Sequence, residues 1–387
     1  MDRHQNDSLS LTILALHSTV MRKLPYIAAF AFTLTLAASS FAQKATPTPK
    51  PEDQEIKIES RLVVIPVSVT DAAGNPVTNL GKADFSVTEE GKRQEVDNVG
   101  NADVVPLEIA LLFDVSASTD AMFKFQQETA AKFLQDVMKP TDRATVFTIG
   151  ASPIMLAGRD TSDKAIASVK TITPTKQFTA FYDSVGAAAE YLAKNAPSGT
   201  RRVIVVISDG EDTNSTRIAR AIQDGYKRAG EKLNTLDNKA LYALTVNNRN
   251  EASLKERVRI GKSLQDGDTV FYSINPAGSS YQLNQMSMYG QENMERFALE
   301  TGGTAFLPKF APIDTKDPNL NSGNMKRNAL TLETIFRQLA NELRAQYLVQ
   351  YYSDSEFPEG RFVKLEVSLK NPATNKLRAR QGYYVKN

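Results

Sequence analysis

The sequence predicts an α/β protein: a doubly wound, mainly parallel sheet, inserted into or flanked by a small β-sandwich. Three observations predict it. Two strongly apolar runs, LEIALLFDV (107–115) and RRVIVVISDGED (201–212), each end in an aspartate. Such runs are strands buried on both faces, as in a parallel sheet. Strand-like and helix-like segments alternate from Leu107 to about Pro308, the order of repeated βαβ units. Segments with period-two alternation lie before and after this region, and each is too small to be a stable sheet alone.

Taken in order, RLVVIPVSVTD (61–71) alternates like a half-buried strand, and DFSVTEEGKRQEV (84–96) turns at Glu90-Gly91-Lys92. After the strand at 107–115 comes FKFQQETAAKFLQDVM (123–138), an amphipathic helix ending near Pro140. RATVFTIG (143–150) is a strand, SPIMLAG (152–158) a candidate strand, and SDKAIASVKTI (162–172) a helix opened by a Ser/Asp cap. FYDSVGAAAEYLAKN (181–195) reads as a helix, DTVFYSINP (268–276) as a strand, and NMERFALETGG (293–303) as a helix stopped at Gly302. TAFLP (304–308) reads as a short strand.

More chain lies between Thr216 and Gly267 than a simple crossover needs. TRIARAIQDGYKRAGEKL and ASLKERVRIGKSLQ look helical and basic, with ALYALTV (240–246) between them apolar enough to be buried. The segment reads as an elaborated helical connection, with a partner-binding insertion as the alternative. Leu332, Ile335, Phe336, Leu339 and Leu343 then fall at helical spacing with Thr331 as the expected cap. YLVQYYS, FVKLEVSLKN and KLRARQGYYVKN return to strand patterns. The Tyr351-Tyr352 and Tyr383-Tyr384 pairs are expected to alternate between faces as packing residues.

Composition limits the chemistry. The 387 residues carry a net charge of only +2, so the balance points to no nucleic acid. There is no Cys, and both His residues, His4 and His17, precede the mature chain expected below. Without them neither a usual zinc site nor a Ser-His-Asp triad can be built. The N-terminus reads as a secretory signal: Arg22 and Lys23, an apolar stretch from Leu24 to Ala38, and Ser40-Phe41-Ala42. The expected start is Met21, with cleavage after Ala42 and export to the periplasm, envelope or exterior. No later run is long and apolar enough to span a membrane. The expected organisation is signal (1–42), Pro/Thr-rich linker (43–59), β segment (60–105), α/β domain (106–328), and a helix with a C-terminal β segment (329–387).

The chemistry lies at the strand ends. Asp114, Ser116 and Ser118 follow the first buried strand, and Asp209 with Gly210 ends the second. Thr179 stands just before the helix between them. Carboxylate and hydroxyl oxygens are hard donors of the type Mg²⁺ and Mn²⁺ prefer. Ligands of open α/β sheets bind at the carboxyl ends of strands. Glu211 and Asp212 read as a solvated loop, and Asp183 as first-turn helix stabilisation.

Asp114-Val115-Ser116-Ala117-Ser118, Thr179 in QFTAFYDSV and Asp209 in VIVVISDGED resemble the metal-ion-dependent adhesion site of the von Willebrand factor A family. The resemblance covers roughly Pro106 to Pro312. It implies a Rossmann-like fold. It also implies an Mg²⁺ (or Mn²⁺) ion coordinated by Ser116, Ser118 and Thr179, with Asp114 and Asp209 acting directly or through water. One position would stay open for a carboxylate of a partner protein. The β–A domain–β order also resembles an A-domain-related family common in secreted acidobacterial proteins. The long connection after Asp209 departs from a compact A domain. The expectation is therefore a secreted, metal-dependent binding protein and not an enzyme. The alternatives are an envelope structural or assembly component with a stabilising metal, or a metal-dependent phosphoesterase.

Overall fold

The computed structural model describes residues 60–116, 121–175, 178–276, 285–313, 315–372 and 374–386. The expected signal and linker, with His4 and His17, lie outside the described residues, as does Ser118. Among the described residues no helix is long and apolar enough to cross a membrane.

The central sheet has six strands. β5 (Leu107–Asp114), β6 (Arg143–Ile149), β8 (Arg201–Ile207), β9 (Thr269–Ile274) and β10 (Ala305–Phe306) run parallel, and β7 (Pro153–Asp160) is the antiparallel edge, in the order β10-β9-β8-β5-β6-β7. Every residue of β5 is buried, so its alternate side chains enter two separate cores. Leu107, Ile109, Leu111 and Phe113 pack with α1 (Ala121–Val137), α2 (Ser162–Lys170) and α7 (Pro318–Arg344). Ala110 and Leu112 face α3 (Phe181–Asn195), α4 (Thr216–Ala229), α5 (Asn238–Asp266) and α6 (Gln285–Thr301). Helices on both faces cover the sheet, as the continuous apolar strands require.

Chain order fixes where a site can form. From β5 the chain steps to β6 on one side and later returns to β8 on the other. The winding direction therefore reverses between β5 and β8, and this switch point opens a crevice at their carboxyl ends. Asp114 ends β5, and Asp209 stands in the loop just after β8.

The flanking segments pair with each other. β1 (Arg61–Thr70) runs antiparallel to β11 (Tyr347–Ser353), with Ile65 opposite Val349. β13 (Lys376–Ala379) and β4 (Asn98–Asn101) complete that sheet. β2 (Phe85–Glu89) pairs with β12 (Phe362–Leu369) in a second sheet, edged by β3 (Lys92–Gln94) and β14 (Gly382–Tyr384). Val63, Ile65, Val67, Phe85, Val87, Val349 and Leu365 share one core between the sheets. Tyr351 is fully buried while Tyr352 is half exposed, the alternation that a strand imposes. The Tyr351 and Tyr383 hydroxyls both donate to Glu89 Oε1, at 2.8 and 2.7 Å, joining the two sheets through a buried carboxylate.

Three expectations need correction. ALYALTV is not buried: it lies on α5, a single helix of 29 residues, with Tyr242 71% exposed. α4 packs along α5, and residues 240–246 are half-buried or exposed. Thr331 does not cap α7. Asp317 does, accepting from the Asn319 and Leu320 N–H groups with Pro318 at the first helical position, so the helix starts well before Thr331. Thr331 instead donates its hydroxyl to the Arg327 carbonyl inside the helix. The boundary expected at 328/329 therefore falls within α7.

Candidate metal centre at the switch point

Three loops meet at the carboxyl ends of β5 and β8. The first follows β5. Asp114 is 8% exposed, and its Oδ1 accepts from the Ser116 N–H at 2.9 Å and the Ser116 hydroxyl at 2.6 Å. Its Oδ2 accepts from the Ser208 hydroxyl at 2.5 Å. β5 and β8 pair with Phe113 opposite Ile207, so the next residues, Asp114 and Ser208, stand side by side.

The second loop follows β8. Asp209 Oδ1 accepts from the Glu211 N–H at 3.0 Å. Gly210 has φ +78°, a left-handed conformation that glycine adopts without strain. A Cβ there would lie 2.5 Å from the Gly290 carbonyl oxygen on α6. The chain therefore needs glycine at both positions for α6 to approach the loop.

The third loop leads into α3. Thr179, 6% exposed, donates its N–H to the Thr213 hydroxyl at 2.8 Å. Its carbonyl accepts from the Thr213 and Asn214 N–H groups. Ala180 N–H donates to the Gly150 carbonyl, and Thr175 N–H to the Val115 carbonyl. Backbone bonds thus tie the Thr179 loop to both aspartate loops, bringing Asp114, Ser116, Thr179 and Asp209 to one end of the sheet. Ser118, the fifth expected ligand, lies outside the described residues.

The electrostatics of the two aspartates agree with their placement. Burial pushes the Asp114 carboxyl above its usual range, against the pull of its bonds to Ser116 and Ser208. Burial, followed by repulsion from Asp114, raises Asp209 to about 7. Among the described residues, no Lys or Arg forms an ion pair with Asp114, Asp209, Glu211 or Asp212. Adjoining carboxylates, Asp114 buried and Asp209 half-buried, without a counter-cation among the described residues and beside hydroxyl oxygens, fit the donor set of a hard divalent ion. Among the described residues no cluster of three or more His, Cys, Asp and Glu side chains is arranged for a metal, so the hydroxyls are essential to the set.

The neighbouring acids do different work. Asp212 is not solvated: it is 7% exposed, accepting from the Tyr182 N–H at 3.1 Å and the Ser215 N–H at 3.0 Å. It serves the start of α3 and the turn before α4. Glu211 accepts from the Ser287 hydroxyl on α6. Asp183, in the first turn of α3, accepts from the Thr216 N–H and hydroxyl, both at 2.8 Å, and so also serves the start of α4. Ser208 and Gly290 escaped the sequence reading. Ser208 adjoins Asp209 in the motif, but its role depends on strand register. Gly290 has no local signal because its constraint comes from a distant loop.

Residues 109–211 match the family model of the von Willebrand factor type A domain. No curated protein matches the chain. Among solved structures, proximal thread matrix protein 1 from the mussel byssus is 11% identical with a TM-score of 0.38, over 66% of this chain and 50% of that one. This chain therefore spans about half the length of the mussel protein. Another structure of that protein, described as having a zinc-occupied MIDAS motif, gives 11% identity and a TM-score of 0.35 over 66% and 50% of the two chains. The vWF domain of the type V pili tip protein Mfa5 from Porphyromonas gingivalis is 12% identical with a TM-score of 0.35, over 60% of this chain and 96% of that one.

Proposed function

We propose that the von Willebrand factor type A domain of this chain is a metal-dependent protein-binding module working outside the cytoplasm. Asp114, Ser116, Ser118, Thr179 and Asp209 are its metal set, with Mg²⁺ or Mn²⁺ as the ion. The observation that carries the reading is buried Asp114 at the end of β5 beside half-buried Asp209 in the loop after β8, with no Lys or Arg paired to either among the described residues. A bound ion removes the repulsion between them. With three neutral hydroxyls in the set, the ion keeps part of its charge and a position for an acidic side chain of a partner. The absence of Cys, and of His outside the expected signal, supports binding over catalysis. The Arg22-Lys23 start, apolar stretch and Ser40-Phe41-Ala42 site support export.

The test is capture of exported proteins on wild-type chain and on Asp114→Ala, each with Mg²⁺ and with chelator. Recovery of a partner by wild type with Mg²⁺ alone is the expected result. Metal binding accompanied by equal capture under every condition would instead mean that the ion only stabilises the fold. Hydrolysis of a generic phosphoester that disappears in Asp209→Ala would overturn the binding reading in favour of an enzyme.

A further inference from the structure

A second cavity lies at the opposite end of the central sheet, between the starts of β8 and β9 and the sandwich strands β1, β11 and β14. It measures about 470 Å³. Arg61, Arg201, Arg202, Arg380 and Lys386 line it, and Asp268 is the one carboxylate among its lining residues. Asp268 is already shared, 2.6 Å from Arg380 Nη1 and 3.2 Å from Lys386 Nζ. The remaining wall mixes apolar and aromatic side chains, including Leu62, Val203, Leu348 and Tyr384, with neutral polar ones such as Gln265 and Gln350.

These cations are unequally engaged. Arg201 is spent, donating to the Ala102 and Leu343 carbonyls and to Gln346. Arg202 donates from Nη1 to Gly267 O at 2.9 Å and from Nη2 to Ala196 O at 3.4 Å, yet its Nε is buried with no hydrogen-bond partner among the described residues. Arg380 donates to Asp268 and to Val64 O, and its Nε is likewise unbonded. Arg61 lies 5.8 Å from the Tyr383 ring centroid, with Nη1 buried and unbonded. A buried donor left unpaired costs roughly 1–3 kcal/mol, so three around one cavity make a persistent demand for an acceptor. The three nitrogens are covered in this conformation, so a small swing of the guanidinium groups is part of binding.

We infer that this cleft binds a phosphate-bearing molecule with an apolar moiety. Five cations against one carboxylate exceed what a single carboxylate ligand can neutralise. A phosphate monoester brings a charge of about −1.5 to −2 at pH 7 and three acceptor oxygens, which arginine forks match in geometry. The apolar wall takes the remainder of the molecule, and the volume suits a small organic phosphate or the headgroup region of a lipid. The site is separate from the metal centre and does not depend on it.

Calorimetric titration of the full chain with phenyl phosphate tests the inference. Saturable one-to-one binding with Kd on the order of 1 mM or tighter is expected, with inorganic phosphate weaker because it leaves the apolar wall uncovered. Arg61→Gln and Arg202→Gln should each weaken binding about tenfold, the loss expected for one charge-assisted hydrogen bond, and Arg61→Lys should weaken it less. Asp114→Ala should bind phenyl phosphate as wild type does. Phosphatidic acid vesicles, which present a phosphate monoester, identify a lipid headgroup as the source if they sediment the chain and phenyl phosphate displaces it; no sedimentation with intact phenyl phosphate binding identifies a soluble phosphate. Absence of saturable binding by a chain with wild-type thermal unfolding would overturn the inference. So would affinity unchanged in both glutamine variants.

Discussion

The Asp142 cluster at the amino end of the central sheet and the aspartate pair at its carboxyl end handle charge in opposite ways. At the amino end, Asp142 is 1% exposed and ion-paired with Arg344, while its oxygens also accept from the Leu107 and Lys139 N–H groups. Arg201 is bonded to two carbonyls and to Gln346, which also donates to the Tyr272 hydroxyl. Burial lowers Arg201 to about 10, still well above physiological pH. At the carboxyl end, Asp114 and Asp209 have only hydroxyl and N–H donors, and no ion pair among the described residues reaches them. Asp142 and Arg201 thus find their partners within the chain, and their bonds tie α7 to the sheet, whereas the neighbouring cleft keeps an excess of cations. The aspartate pair leaves negative charge that a solute cation can neutralise. A buried charge indicates a binding site when its neutralising partner is missing, and burial alone does not.

That contrast can be broken at either end. The largest expected effect is Asp142→Ala. Removing the Asp142 carboxylate leaves Arg344 with only the longer pair to Asp103 at 3.6 Å and orphans the Leu107 and Lys139 N–H groups; the cost should be about 3–5 kcal/mol in urea unfolding, with Mg²⁺ affinity of the folded fraction unchanged. Gly210→Ala should come next. Its Cβ meets the Gly290 carbonyl at 2.5 Å, and its φ is unfavourable for alanine. Roughly 1–3 kcal/mol of strain is expected, and here Mg²⁺ affinity should fall as well, because Asp209 adjoins the displaced backbone.

Acidity separates the ends further. The folded pKa of Asp209 is about 7, above its ordinary 3.8, so between those values the folded chain holds a proton that the unfolded chain has lost. The contribution to stability is complete below 3.8 and is lost as pH rises through 7. Chelator-treated protein should therefore melt at a lower temperature at pH 8 than at pH 5, as far as this group governs it. Saturating Mg²⁺ should raise the melting temperature most at pH 8, and a thermal melt series with and without the ion checks both. Ser208→Ala should have the smallest effect. It removes one hydroxyl from Asp114, and titration calorimetry should show Mg²⁺ binding weaker by about 1 kcal/mol.

Much of the site was legible because its signals are local. An aspartate at the end of an apolar run is visible without knowing the fold, and two such runs with a threonine before the intervening helix point to one crevice. The pairing of the outer β segments followed from neither being able to form a stable sheet alone. What was not legible depended on distance in space. Ser208 matters through the β5–β8 register, and Gly290 through the approach of α6. The start of α7 did carry a signal, Asp317-Pro318, but the apolar periodicity that drew attention begins only at Leu332. ALYALTV is the converse case: a short apolar run reads as buried wherever it sits, whereas here it lies on α5 with its residues half-buried or exposed.

Divalent-cation binding by the unpaired aspartates is what sets the switch point apart. Its most direct test is calorimetric titration of Mg²⁺, repeated with Mn²⁺, into chelator-treated wild type, Asp114→Ala and Asp209→Asn, with unfolding measured on the same samples. The account predicts one-to-one binding to wild type and its loss in both variants, with metal-free Asp209→Asn at least as stable as wild type because a buried repulsive charge is gone. Equal affinity in all three, or no binding by a folded wild type, would contradict it.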